Sequence, residues 1–149
     1  MILRTVKETY PNGTPRVEYT VNGEGKLHGT CQDWHSNGQL YEQCEYMNGK
    51  RHGTCHYWRE NGQLWQQYEY ANGKCHGLLY TWRLDGSLWY IKQWDKDELL
   101  VEVTYIHNSK ECKVAEIEIY NSNIESTAFV ANIIIQLTSE GIEYEITHG

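Results

Sequence analysis

Through the middle of the chain, polar and apolar positions alternate with a superimposed period of 24 residues. His28-Gly29, His52-Gly53 and His76-Gly77 stand one period apart, as do Trp34, Trp58 and Trp82. The turn pairs Asn37-Gly38, Asn61-Gly62 and Asp85-Gly86 and the residues Leu40, Leu64 and Leu88 follow the same spacing. Within each copy the alternation predicts a β-hairpin closed by a second turn. In the second copy residues 54–59 form the first strand, Asn61-Gly62 the turn and residues 63–70 the return strand, with Asn72-Gly73 closing the unit. Asn-Gly suits a type I′ turn, which requires positive φ at both central positions. Three clear copies result, at 26–49, 50–73 and 74–97, the third carrying Lys96-Asp97 at its closing turn. Asn12-Gly13 and Asn22-Gly23 outline a worn copy over 8–25. A fixed period of this size marks a stacked array in which each unit needs its neighbours to bury its apolar face.

Side chains alternate across a strand, so parity predicts what faces where. Leu40, Cys44 and Tyr46 fall on one face, with Leu64, Tyr68 and Tyr70 and then Leu88, Tyr90 and Trp94 in later copies; this is the expected inner face. The other face carries Tyr41, Trp65 and Trp89, one ring per copy, interleaved with Gln43, Glu45, Gln67 and Glu69. Interfaces are enriched in Tyr and Trp anchors within a polar rim, which makes these seven residues the candidate partner-binding set. The competing expectation is structural, with the rings covered by the tail or stacked along the sheet.

After Leu100 the pattern changes. Residues 101–107 and 113–120 alternate as strands around a polar turn at 108–111. Ser122-x-x-Glu125 resembles a capping box that opens a helix with Ile124, Phe129, Val130, Ile133, Ile134 and Leu137 on one face. Gly141 is a suitable helix stop and residues 142–147 return to strand alternation. The expected fold is therefore mostly β: an array of stacked hairpins over residues 1–98 forming an elongated twisted sheet, with a small ββαβ cap over 99–149.

Composition sharpens this picture. The chain has 12 Tyr and 6 Trp but one Phe, so rings with a polar tip supply much of the burial. Its net charge of -7 comes almost entirely from residues 99–149, which hold two basic and eight acidic side chains. Backbone binding to nucleic acid needs a basic patch, and that class is excluded. No charged-then-apolar leader opens the chain and no apolar run nears the ~20 residues needed to span a bilayer. With five cysteines in no even framework, the expected setting is a reducing cytoplasm.

The segments Tyr46-x-Asn48-Gly49-Lys50-x-His52-Gly53 and Tyr70-x-Asn72-Gly73-Lys74-x-His76-Gly77 resemble MORN repeats. The stretches from Trp34 to Leu40 and from Trp58 to Leu64 are similar to the variant found in bacterial antitoxin-like MORN proteins. The likeness covers roughly residues 10–98. It implies a protein-interaction or scaffold module, with an antitoxin-like or inhibitor role as one form and phospholipid binding as an alternative.

Candidate chemistry is sparse. His28-x-x-Cys31 and His52-x-x-Cys55 invite a zinc site, but equivalent atoms two strands apart lie ~9–10 Å from one another, too far to share one ion. The His-Gly pairs are expected to shape turns, each His bonding locally. Cys31 and Cys55 are expected as thiols filling small inner positions, and Glu42, Glu45, Glu116 and Glu118 as solvated carboxylates. No nucleophile elbow, phosphate loop or dinucleotide fingerprint is present. The resulting expectation is a non-catalytic protein with no metal or cofactor that binds another protein, with a metal-dependent enzyme in the C-terminal part as a further alternative. Open sheet edges leave room for homodimerisation by strand pairing.

Overall fold

The computed structural model describes residues 2–108 and 111–149, with side chains outside 107–114. The chain is mostly β, with a single helix among the described residues. It divides into two compact units, residues 1–75 and 76–149.

In the first unit β1 (Arg4–Thr9), β2 (Pro15–Val21), β3 (Gly29–Trp34), β4 (Leu40–Met47), β6 (Gly53–Trp58) and β7 (Leu64–Ala71) pair in chain order. The two-residue β5 (Lys50–Arg51) pairs with β4 alone. All these pairings are antiparallel.

The two turns of each copy differ in kind. The closing turns have positive φ at both central residues: Asn48 (49°) and Gly49 (84°), then Asn72 (51°) and Gly73 (81°). These are the type I′ turns that Asn-Gly favours. The first turns do not follow that expectation. At Asn37-Gly38 and Asn61-Gly62 only the glycine is left-handed. The glycine N–H donates three residues back, to His35 O (3.0 Å) and Arg59 O (2.9 Å), while each Asn side chain accepts from the N–H two residues ahead. This is a tight turn followed by one left-handed residue, the usual form of a longer hairpin loop. The worn copy repeats it, with Gly13 N–H donating to Tyr10 O (2.9 Å). Its closing turn is longer, running from Asn22 to a left-handed Gly25, which accounts for the shifted spacing.

The His-Gly pairs are also explained. Gly29, Gly53 and Gly77 all have φ between 82° and 96°, a region that costs other residues ~1–2 kcal/mol. His28 Nδ1 accepts from the Asn48 N–H (3.3 Å), so this His does bond locally. Within each of the first two clear copies the closing glycine ties back to the start of the copy, Gly49 N–H donating to Leu27 O (2.8 Å) and Gly73 N–H to Arg51 O (2.9 Å).

The second unit joins the third copy to the tail. β8 (Lys74–Trp82), which begins just before the division, pairs with β9 (Leu88–Asp95). Next come β10 (Glu98–Asn108) and β11 (Glu111–Ile119), and then β12 (Glu143–His148) lies parallel to β11. The parallel return requires a crossover, supplied by helix α1 (Ile124–Ser139). The expected polar turn at 108–111 lies partly outside the described residues. Ile91, Leu100, Val101, Val103, Tyr105, Ala115 and Ile117 meet Val130, Ile133 and Leu137 of α1 in one buried cluster. This is the ββαβ arrangement expected from the tail.

Two details of α1 differ from the sequence reading. The N-cap is Asn123, not Ser122: its side chain accepts the Ser126 N–H while Ser126 Oγ accepts the Asn123 N–H, both at 2.8 Å. Asn serves as well as Ser at this position. Ile124 does not join the buried face and is 89% exposed. At the other end Gly141 is left-handed, and the Ile142 N–H closes onto Leu137 O (2.9 Å), the glycine stop that was expected.

The closing turn of the third copy forces two ordinary residues, Lys96 (47°) and Asp97 (68°), into the left-handed region. Asp97→Gly is expected to raise stability by about 1 kcal/mol, and Gly73→Ala to lower it by about 1–2 kcal/mol. Urea unfolding midpoints of the two variants check both signs; equal midpoints would remove the turn argument.

Candidate partner-binding face

Each clear copy contains a β-bulge at the same place. Asp33 pairs with Glu42 and Trp34 with Leu40, leaving Tyr41 as the extra residue. Tyr57 pairs with Gln66 and Trp58 with Leu64, leaving Trp65. Thr81 pairs with Tyr90 and Trp82 with Leu88, leaving Trp89. A bulge puts two successive residues opposite one and breaks the alternation. The rings of Trp89 and Tyr90 accordingly lie 5.4 Å apart, a contact that neighbours on an unbroken strand, pointing to opposite faces, do not make. Leu88 packs on the helix-covered core with Ile91, whereas Tyr90, one parity step from Ile91, takes the other face.

The parity assignment of the faces is therefore corrected. The seven candidate residues do not share a face. Tyr41 lies with the tyrosines, its ring 6.2 Å from Tyr57, whose hydroxyl donates to Glu42 (3.1 Å). The recurring bulge carries Trp65 and Trp89 to the same side of their own strands. Gln43 and Glu45 lie on the opposite side, where Gln32 Nε2 donates to Gln43 (3.0 Å) and Thr30 Oγ1 to Glu45 (2.7 Å). Gln67 and Glu69 stand in the equivalent register, opposite His56 and Thr54. Leu40, Leu64 and Leu88 accordingly part from the Cys44, Tyr68 and Tyr90 face.

Each of the three rings is braced by the residue six places before it. His35 meets Tyr41 edge-on at 5.0 Å, Arg59 Cζ lies 5.3 Å from the Trp65 centroid and Arg83 Cζ 5.9 Å from that of Trp89. A cation over a ring contributes about 0.5–1 kcal/mol at exposed sites. His35 Nε2 also reaches Trp58 O (3.0 Å), and Arg83 donates to Leu88 O (3.1 Å) and to Tyr105 O. Sequence reading missed these braces, although their period of 24 was available as a signal. The braced rings remain open: Tyr41 is 38% and Trp89 44% exposed, with Trp65 half-buried.

Behind the rings of the first unit lies a chain of tyrosines. Tyr57 meets Tyr68 at 5.7 Å and Tyr68 meets Tyr70 at 6.0 Å, with the Arg51 guanidinium 5.5 Å from Tyr70. Glu42 accepts from Arg51 Nη2 (2.9 Å) and keeps only 15% of its side chain exposed. The expectation of a solvated Glu42 is thus overturned: its charge is committed to an ion pair. Burial, then Glu42, pushes the Tyr57 hydroxyl above its ordinary range.

Cysteines occupy this same face. Cys44 and Cys55 are directly opposed across β4 and β6 and form a disulfide, so Cys55 is not the free thiol that was expected. Cys31 is the register partner of Cys44 on β3 and stays a thiol. Burial, then Asp33 and Glu42, raises the Cys31 thiol to about 11. Among the described residues no group of three or more His, Cys, Asp or Glu is arranged to hold a metal, and no helix is long and apolar enough to cross a membrane.

Two pH-linked consequences follow from the carboxylates. Alkylation of Cys31 by iodoacetamide is expected to be slow at pH 8 and to accelerate as pH approaches 11. Asp33→Asn removes a negative charge, favours the thiolate and so speeds the reaction; peptide mass mapping reads the rate, and an unchanged rate contradicts the electrostatic cause. Burial and then Glu42 also raise the Asp33 carboxyl. The folded state therefore binds that proton more tightly than the unfolded chain, and stability is lost as pH rises through the Asp33 titration. Asp33→Asn should raise the melting temperature at pH 7 and lose that advantage at pH 3.

The family model described as a MORN repeat variant matches residues 27–48 and 51–72. No curated protein matches the chain. Both matched stretches run from just before a His-Gly pair to the closing turn, enclosing the hairpin, its bulge and the ring. The chain carries MORN repeats of this variant type.

Proposed function

We propose that the chain is a non-catalytic module that binds another protein through its repeat sheet, with Tyr41, Trp65 and Trp89 as the anchors. The observation that supports this most directly is the recurrence of a braced ring at the bulge of every clear copy, exposed at Tyr41 and Trp89 and half-buried at Trp65. A bulge re-aims a side chain, and a large ring held in place loses little freedom on binding. MORN repeats are in keeping with such a module. An antitoxin-like or inhibitory role is the specific form we favour, resting on the likeness of the Trp-to-Leu stretches. The reading includes a cytoplasmic setting. Gln43, Glu45, Gln67 and Glu69 leave the anchor set, because the bulge separates them from the rings.

The faces can be told apart by experiment. With a partner captured from the native cell and purified, Trp65→Ala/Trp89→Ala is expected to weaken binding about thirtyfold or more, the equivalent of ~2 kcal/mol. Gln43→Ala/Gln67→Ala on the opposite face should change affinity less than about threefold. Calorimetry on folded variants measures both; undiminished affinity in the tryptophan pair would remove the rings from the reading.

A further inference from the structure

Helix α1 has a second apolar face that nothing in the second unit covers. Ser126, Val130, Ile133 and Leu137 point into the core. Half a turn away, at 100° per residue, lie Ile124, Ala128, Ala131 and Ile135. Ile124 is 89% and Ile135 67% exposed, and both alanines are exposed. The only charged residue within the helix is Glu125. An exposed helix face ordinarily carries charge; this one has an apolar seam instead.

We propose that this seam is a self-association surface, on which α1 packs antiparallel against α1 of a second copy. The spacing of four, three and four residues is that of a coiled-coil seam. Ile124, Thr127, Ala128 and Ala131, the four corners of a knob-accepting hole, line a shallow hollow together with Ser122 and Asn123. The order Ile-Ala-Ala-Ile reads the same in both directions. A two-fold axis midway along it sets Ile124 against Ile135 of the second copy and Ala128 against Ala131, giving two outer Ile–Ile layers and two inner Ala–Ala layers. Small residues at the centre admit close approach of the two helices.

The palindromic order selects a second copy as occupant, and charge marks out this seam from the rest of the unit's surface. The chain carries a net charge of -7, and elsewhere in this unit Glu116, Glu143 and Glu145 are exposed, so most of its surface repels its own kind. In the antiparallel register Glu125 faces Ile134, and no carboxylate meets a carboxylate. The face has no Lys or Arg to hold an anionic membrane or an acidic protein. One helix pair is at the small end of protein interfaces, so the dimer is weak, with a dissociation constant on the order of 50 µM.

Sedimentation velocity on the full chain, from about 5 to about 500 µM at moderate salt, tests this. The wild type is expected to move from one to two chain masses across that range. Ile124→Glu and Ile135→Lys should each weaken the dimer about tenfold or more, and both substitutions are at exposed positions, with circular dichroism checking the fold. Ile124→Glu/Ile135→Lys in one chain should recover the dimer, since each glutamate then faces a lysine of the second copy. A wild type that stays monomeric to about 500 µM overturns the proposal. So does undiminished association of the single variants, which would point to an open strand edge, and so does a double variant no better than the singles.

Discussion

The extra residue in each return strand is the constraint on which the faces of this protein depend. Without it, strict alternation would set Leu40, Glu42 and Cys44 on one side and Tyr41, Gln43 and Glu45 on the other. With it, Leu40 pairs with Trp34 and Glu42 with Asp33, and Tyr41 is carried to the side of the tyrosines. The bulged residue stands three places after the left-handed glycine that ends each first turn. The two features share a period, so one local backbone solution is reproduced in every copy. A single insertion or deletion there would exchange the faces of everything downstream, since a one-residue slip reverses every side chain.

Once the faces are assigned correctly, the two units differ in chemistry at equivalent positions. Thr30 and Thr54 correspond to Leu78, Gln32 and His56 to Tyr80, and Gln43 and Gln67 to Ile91. In the first two copies this face is polar and partly bridged by side-chain hydrogen bonds. In the third it is apolar and packs into the core beneath α1. The third copy is a converted one. Its polar positions are exchanged for aliphatic and aromatic ones because a helix has to be seated there, and burial of apolar area is the main favourable term available.

Much of this was legible in the sequence. The period, the hairpins, the closing type I′ turns at Asn48-Gly49 and Asn72-Gly73, and the ββαβ tail all follow from local signals of turn chemistry and alternation. The face assignment was not, because a bulge leaves no residue-type signature beyond the glycine before it, and Asn-Gly is equally at home in a turn without one. The ion pair of Glu42 with Arg51 was also hidden, since it joins side chains nine positions apart on different strands. The disulfide was obscured for the same reason: Cys44 and Cys55 occupy different places in the repeat and meet only through the register of β4 with β6. The swap from Gln43 and Gln67 to Ile91 was in plain sight, and was passed over because parity had placed those positions on the outside.

The distribution of rings then acquires a physical logic. A thin repeat has too little volume for an aliphatic core, so in the first unit tyrosines lie against one another and over the buried Cys44 and Cys55. The hydroxyls of Tyr46 and Tyr57 meet Arg51 and Glu42 without leaving the packed layer, which a phenylalanine could not do. Tyr41, Trp65 and Trp89 are the rings that this packing does not consume. Each is steadied from one side by His35, Arg59 or Arg83. Tyr41 and Trp89 stay 38% and 44% exposed under this bracing, so the bulge holds each of them at the edge of the packing around its own strand and not within it.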